Sequence, residues 1–189
     1  MDIFSRKIVG YDIHSEESME HSSKLVERIC VNEGVEKGQL VLHADNGGSM
    51  KGATMLATLE KLGVAPSFSR PRVSNDNPFS ESLFKTLKYC PKYPDRFQSI
   101  EESKQWMLVF TDWYNSKHLH SGIKYVTPSE RHQGLDIKIL KKRNAVYEKA
   151  KSRNPGRWNN RNVRNWDRIE KVNLNHLQKD RNIDIRNVS

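Results

Sequence analysis

Two carboxylates in unlike settings constrain this chain more than any other feature of its sequence. Gln39-Leu40-Val41-Leu42-His43 is a short apolar run that Ala44-Asp45-Asn46-Gly47-Gly48 interrupts. That is the pattern of a buried strand with Asp45 at its carboxyl end, followed by a glycine turn that keeps the carboxylate exposed. Glu81 lies in Asn77-Pro78-Phe79-Ser80-Glu81-Ser82-Leu83-Phe84-Lys85-Thr86-Leu87-Lys88. Asn77 suits a helix cap and Pro78 the first helical position, which places Glu81 in the first or second turn. A strand-end Asp and a helix-borne Glu meet only through tertiary folding.

Two carboxylates brought to ~4 Å repel by about 4 kcal/mol at an effective dielectric near ~20, so such a pair needs a cation or a shared proton. Hard oxygen ligands without Cys or His point to Mg²⁺ or Mn²⁺. Lys85 and Lys88 lie on the same helix face as Glu81, and Phe79, Leu83 and Leu87 fall towards the opposite one. An acidic face flanked by lysines suits a metal and a phosphate backbone together.

These segments resemble the transposases of bacterial insertion sequences in the retroviral-integrase superfamily, the DDE recombinases. The resemblance rests on His43-Ala44-Asp45-Asn46-Gly47-Gly48, on Ser69-Arg70-Pro71-Arg72-Val73-Ser74-Asn75-Asp76-Asn77-Pro78, and on Ser80-Glu81-Ser82-Leu83-Phe84-Lys85-Thr86-Leu87-Lys88. Thirty-five residues separate Asp45 from Glu81, the family's usual interval, while Ala44 stands where members more often carry Ser or Thr. The resemblance implies an α/β, ribonuclease H-like integrase core that cleaves and joins DNA strands with Mg²⁺ or Mn²⁺. It also implies Asp45 and Glu81 as the second and third metal-binding acids, and transposon ends and target DNA as partners.

Residues 1–13 read as the end of one strand, a turn near Ser5 to Lys7, and a second strand over Ile8 to Ile13. They resemble the second and third strands of the integrase core, whose first catalytic Asp lies on the preceding strand, upstream of the position that Met1 occupies. Asp2 and Asp12 belong to other strands and read as structural or surface acids. The resemblance therefore implies an incomplete core with its first strand missing, an N-terminally truncated transposase with little activity alone. The alternative is a non-catalytic DNA-binding fragment, a decay product or an inhibitor that joins full-length transposase in a multimer.

Charge divides the chain into a core, 1–135, and a basic appendage, 136–189. Residues 1–137 carry 17 Lys and Arg against 18 Asp and Glu, whereas 138–189 carry 15 against 5. The asymmetry fits a polyanion partner, with nucleic acid favoured over a membrane because the tail lacks a clear apolar face; a solvated basic tail is the plain alternative. Cys30 and Cys90 form no CxxC pair, and no run reaches a membrane-spanning length, which fits reduced thiols in the cytoplasm.

Periodicity predicts a helix over Ser15 to Cys30, a second over Ser49 to Leu62 with Met55, Leu59 and Leu62 inward, and an edge strand over Val64 to Phe68. Ser69 to Asp76 is a polar loop that carries Arg70 and Arg72 towards phosphates, and Asn75 and Asp76 read as turn and capping residues. Ser99 opens a long helix bearing Trp106, Phe110, Trp113 and Tyr114, and Thr127-Pro128-Ser129-Glu130 has the form of a capping box. His118 and His120 do not share a helix face, so capping or surface hydrogen bonding is the expectation for them. Asp136 to Arg153 is a basic helix with Ile137, Leu140, Tyr147 and Ala150 inward and Lys138, Lys141, Lys142, Lys149 and Lys151 outward. Trp158 and Trp166, interleaved with Arg157, Arg161 and Arg164, suit a nucleic-acid groove, in a tail ordered only in part without DNA.

Overall fold

Helix α1 (Met19–Asn32) begins at Ser18, whose hydroxyl accepts the N–H groups of Glu20 and His21. The predicted start at Ser15 is therefore three residues early: Glu17 lies ahead of the helix and accepts a hydrogen bond from the Ser49 hydroxyl. Strand β1 (Val41–Ala44) follows, then α2 (Gly48–Lys51), α3 (Ala53–Leu62) and β2 (Ala65–Phe68). The helix expected over Ser49 to Leu62 breaks at Gly52, whose backbone is extended and whose absent Cβ would collide with the Met19 sulfur. Then come α4 (Pro78–Lys88), α5 (Ile100–Ser116), α6 (Pro128–His132) and α7 (Asp136–Arg153). The computed structural model describes residues 1–70, 76–90, 93–159 and 161–174.

Strands β1 and β2 pair in parallel, with Val41 opposite Ala65 and Ala44 opposite Phe68. The crossover between them is α2 and α3, and α3 packs on α1 through Val26, Cys30, Met55, Leu59 and Val64. Strand β1 is less buried than its apolar run suggests, since Val41 is exposed and only Ala44 is fully covered.

Residues 8–13 form no strand among the described residues. The Asn115 side chain takes the place of a neighbouring strand at Ile8: its Oδ1 accepts the Ile8 N–H at 2.9 Å and its Nδ2 donates to the Ile8 carbonyl at 3.0 Å. Ile8 itself packs with Phe110 and Tyr114 of α5, against which Leu83 and Leu87 of α4 also lie. The N-terminal turn is held at its other side. Asp2 accepts from the N–H groups of Phe4 and Ser5, and His132 of α6 bridges Asp2 at 3.2 Å and Glu33 at 2.8 Å.

The Thr127 capping box of α6 is complete, with both reciprocal bonds present. Helix α7 has the predicted bounds, but of the residues expected inward Ile137 is exposed and Tyr147 is covered only in part, by the Trp166 ring. Asp136, by contrast, is fully buried. The cause is a pair of arginines: Asp136 Oδ2 accepts from Arg131 Nη1 at 3.3 Å and from Arg168 Nε at 2.7 Å.

The chain after α7 folds back over it. Trp166 is buried with Ile123, Val126 and Leu140, meets the Tyr147 ring edge-on, and carries the Arg143 and Arg164 guanidinium groups over its faces. This indole is core and does not offer a stacking surface to a nucleic acid. Among the described residues no helix is long and apolar enough to cross a membrane.

Candidate active site

Asp45 follows β1 directly and is exposed. Its Oδ1 accepts the Gly47 N–H at 3.0 Å, a fold-over that glycine permits, because a Cβ on Gly47 would stand 3.0 Å from that same oxygen. Oδ2 has no hydrogen-bond or ion-pair partner among the described residues.

Glu81 sits in the first turn of α4 and is exposed as well. Pro78 holds the first position as expected, but the Asn77 side chain makes no capping bond. Leu83 and Leu87 pack inward, Phe79 lies under the Arg6 guanidinium at 3.9 Å, and Lys85 and Lys88 are exposed. Neither lysine lies within ion-pair distance of a carboxylate among the described residues. The face that carries Glu81, Lys85 and Lys88 is thus left to solvent.

What ties the strand end to this helix is His43. Its Nε2 lies 2.9 Å from the Asp76 carbonyl and its Nδ1 2.9 Å from the Ser67 hydroxyl on β2. A carbonyl only accepts, so Nε2 carries a proton. His43 precedes Asp45 by two residues and Asp76 precedes Glu81 by five, so one hydrogen bond links the two segments that carry the acids. Asn46 adds a second tie to the same loop, donating to the Ser69 carbonyl at 2.8 Å.

Asp76 does more than close a turn. It is buried and takes three bonds from Arg70, from its N–H at 2.8 Å, its Nε at 2.9 Å and its Nη2 at 2.8 Å. Hydrogen bonds from the Arg70 side chain and backbone hold the Asp76 carboxyl down to about 2. The sequence signal was an Arg and an Asp six residues apart around a Pro-containing loop, which did not separate this pair from two solvated charges. Arg70 therefore spends two of its donor groups inside the protein and has only the remainder to offer a phosphate. Arg72 lies outside the described residues.

The donor chemistry of Asp45 and Glu81 suits Mg²⁺ or Mn²⁺, which prefer one or two carboxylates together with water and substrate phosphate oxygens. No group of three or more His, Cys, Asp or Glu able to hold a metal ion occurs among the described residues.

His118 and His120 serve the fold. His118 stacks on Tyr114, and the His120 Nδ1 accepts the Gly122 N–H at 3.1 Å. Burial, with the nearby Arg6 and His118, pushes His120 down to about 4, and burial alone lowers His118. An unfolded chain takes up these protons near the ordinary imidazole value of ~6.5, before the folded one does. Stability from this source is complete above pH ~6.5 and falls as the pH drops towards about 4. A His120→Gln variant is expected to flatten the decline between pH ~6.5 and ~5, read as urea midpoints; an unchanged slope would mean that other groups cause it.

Two family models, both described as integrase core domain, match residues 1–74 and 62–128, so their joint span includes both acids. The chain belongs to the integrase-core family. The core is similar to the transposase for insertion sequence element IS904 of Lactococcus lactis, with 31% identity over 131 residues, 69% of this chain and 51% of that protein. It is also similar to the putative transposase InsK for insertion sequence element IS150 of Escherichia coli, with 26% identity over 69% of this chain and 46% of that protein. The chain thus spans about half the length of the curated relatives it matches. Among solved structures it is similar to the catalytic core domain of BIV integrase, with a TM-score of 0.45, 19% identity, and coverage of 67% of this chain and 78% of that one. The integrase core of this chain is mixed α/β, in keeping with the expected ribonuclease H-like class.

Proposed function

We propose that this chain is part of a DNA transposase acting by metal-dependent strand cleavage and strand transfer, with Asp45 and Glu81 as metal ligands. The observation that carries the reading is the His43–Asp76 hydrogen bond, which joins the segments bearing two exposed carboxylates in an integrase-core chain. When bound, divalent ions activate the attacking oxygen and stabilise the leaving one in phosphodiester transfer. The chain's own residues do the rest: Asp45 and Glu81 offer oxygen ligands, and Lys85 and Lys88, with the free donors of Arg70, bind the phosphates on either side.

Two carboxylates fix fewer ligand positions than three. The purified chain is accordingly expected to bind transposon-end or target DNA but to nick it poorly alone, and to act in a multimer with full-length transposase. The second reading, a non-catalytic DNA-binding fragment, draws on the lack of a three-ligand group among the described residues. Either reading is that of a protein working in the reducing cytoplasm, with which two unpaired cysteines, Cys30 and Cys90, are compatible. A nicking assay on end-bearing duplex with Mg²⁺ or Mn²⁺ tests the expectation. Robust cutting abolished by Asp45→Asn would refute poor activity and uphold the ligand role; robust cutting that survives the substitution would refute the ligand role.

A further inference from the structure

Helix α7 carries a second feature that the acid site does not use. At about 100° per residue, Lys138, Lys141, Lys142, Lys149 and Arg153 fall within a stripe roughly 120° wide, and all of them are exposed. Only the small Ala145 and Ser152 share that stripe with them. The five cations extend over about 22 Å of helix axis, from Lys138 to Arg153, at ~1.5 Å per residue. None of the five is within ion-pair distance of a carboxylate among the described residues. The helix's own acids stay out of the stripe, for Asp136 is buried beneath Arg131 and Arg168, and Glu148 lies at its border.

The stripe cannot turn inward. Leu140 is buried with Ile123, Val126 and Trp166, and Arg143 bonds the Lys124 carbonyl at 2.7 Å, so the face opposite the lysines is fixed to the body of the protein. Like charges this dense repel one another, and a helix that keeps them aligned without counter-charges is poised for a polyanion.

We propose that the α7 stripe is a phosphate-backbone track for duplex DNA, separate from the Asp45 and Glu81 segments. A straight rod of cations suits a regular line of phosphates, and the roughly 12 Å major groove admits a helix. A membrane surface would also attract the charge, but it requires one apolar face beside it, and here Leu140 is covered by Trp166 while the exposed Ile137 and Val146 lie on opposite flanks of the stripe. The choice of DNA over other polyanions rests on the transposase reading; the existence of the track does not depend on metal binding.

Two variants of equal net charge test the track. One replaces Lys138, Lys142 and Lys149, which lie within about 40° of one another, with Gln; the other replaces the exposed Lys24, Lys104 and Lys117, also with Gln. Binding to a generic duplex is measured by fluorescence anisotropy across a salt series, with thermal melting as a check on folding. The stripe variant is expected to bind at least ~10-fold more weakly and to lose about 3 from the slope of log K against log salt, while the control changes little. Equal losses in both variants would overturn the track, because net charge alone would then explain binding. Undiminished binding by the stripe variant would overturn it as well and leave the transposase reading standing. No duplex binding by the unsubstituted chain would overturn both. Loss of binding to phosphatidylserine vesicles with duplex binding intact would assign the stripe to a lipid surface and overturn it too.

Discussion

Trp166→Ala is expected to destabilise the chain by about 3–5 kcal/mol, the range for removing a buried tryptophan. The indole fills the space between Ile123, Val126 and Leu140, and its edge and faces are covered by Tyr147, Arg143 and Arg164. Without it the returning chain keeps polar ties, among them those of Lys124 to Asn165, Arg131 to Ile169 and Asp136 to Arg168, but loses its apolar anchor. Amide exchange in α7 should therefore accelerate before the core around Met55 and Leu59 opens. Trp166→Phe provides the comparison. The indole Nε1 is buried without an acceptor among the described residues, so phenylalanine gives up no hydrogen bond there, and the cost should stay below ~1.5 kcal/mol. Chemical denaturation of the two variants separates the outcomes; a loss under ~1 kcal/mol for Trp166→Ala would show that the returning segment is not part of the core.

The second large effect concerns Asp136. Arg131 and Asp136 have fully buried side chains, and Arg131 also donates to the carbonyls of Phe4 and Ile169. Taking away the carboxylate strands one buried guanidinium and leaves Arg168 without its main partner, and breaking such a pair typically costs about 3–5 kcal/mol. Asp136→Ala should therefore unfold more easily than its small change in volume suggests. The pair is nonetheless imperfect, because Asp136 Oδ1 is buried with no donor among the described residues. An Arg131→Met/Asp136→Leu double variant is accordingly expected to be more stable than Asp136→Ala alone, since it removes both buried charges together. A double variant less stable than the single one would show that the carbonyl bonds of Arg131 outweigh its ion pair.

These residues also mark where the sequence could be read and where it could not. The α6 capping box, the bounds of α7, the Pro-led start of α4 and the short strand Ala65–Phe68 follow from local rules, and each lies where those rules put it. Asp136 and Ile137 changed places because hydrophobicity alone ranks Ile inward, while Arg131 and Arg168, which the fold brings against the carboxylate, make the acid the better buried group. Ile8 to Ile13 has a strand's composition, but a strand needs a partner, and at Ile8 the Asn115 amide fills that role. Gly52 divided a continuous helical pattern because Met19 of a different helix occupies its side-chain space. At the candidate site, motif and spacing put Asp45 and Glu81 forward as the proposed acids; the His43–Asp76–Arg70 link that connects their segments depends on tertiary contacts and left no periodic trace.

The central claim is that Asp45 and Glu81 take one divalent ion together. Substoichiometric Mn²⁺ added to isotope-labelled chain tests it most directly, because the ion broadens the amide signals nearest to it. The account predicts selective broadening around residues 45–48 and 79–84 at once, lost from both segments in Asp45→Asn and again in Glu81→Gln. Broadening at one segment only, or at both but unchanged by either substitution, would contradict it.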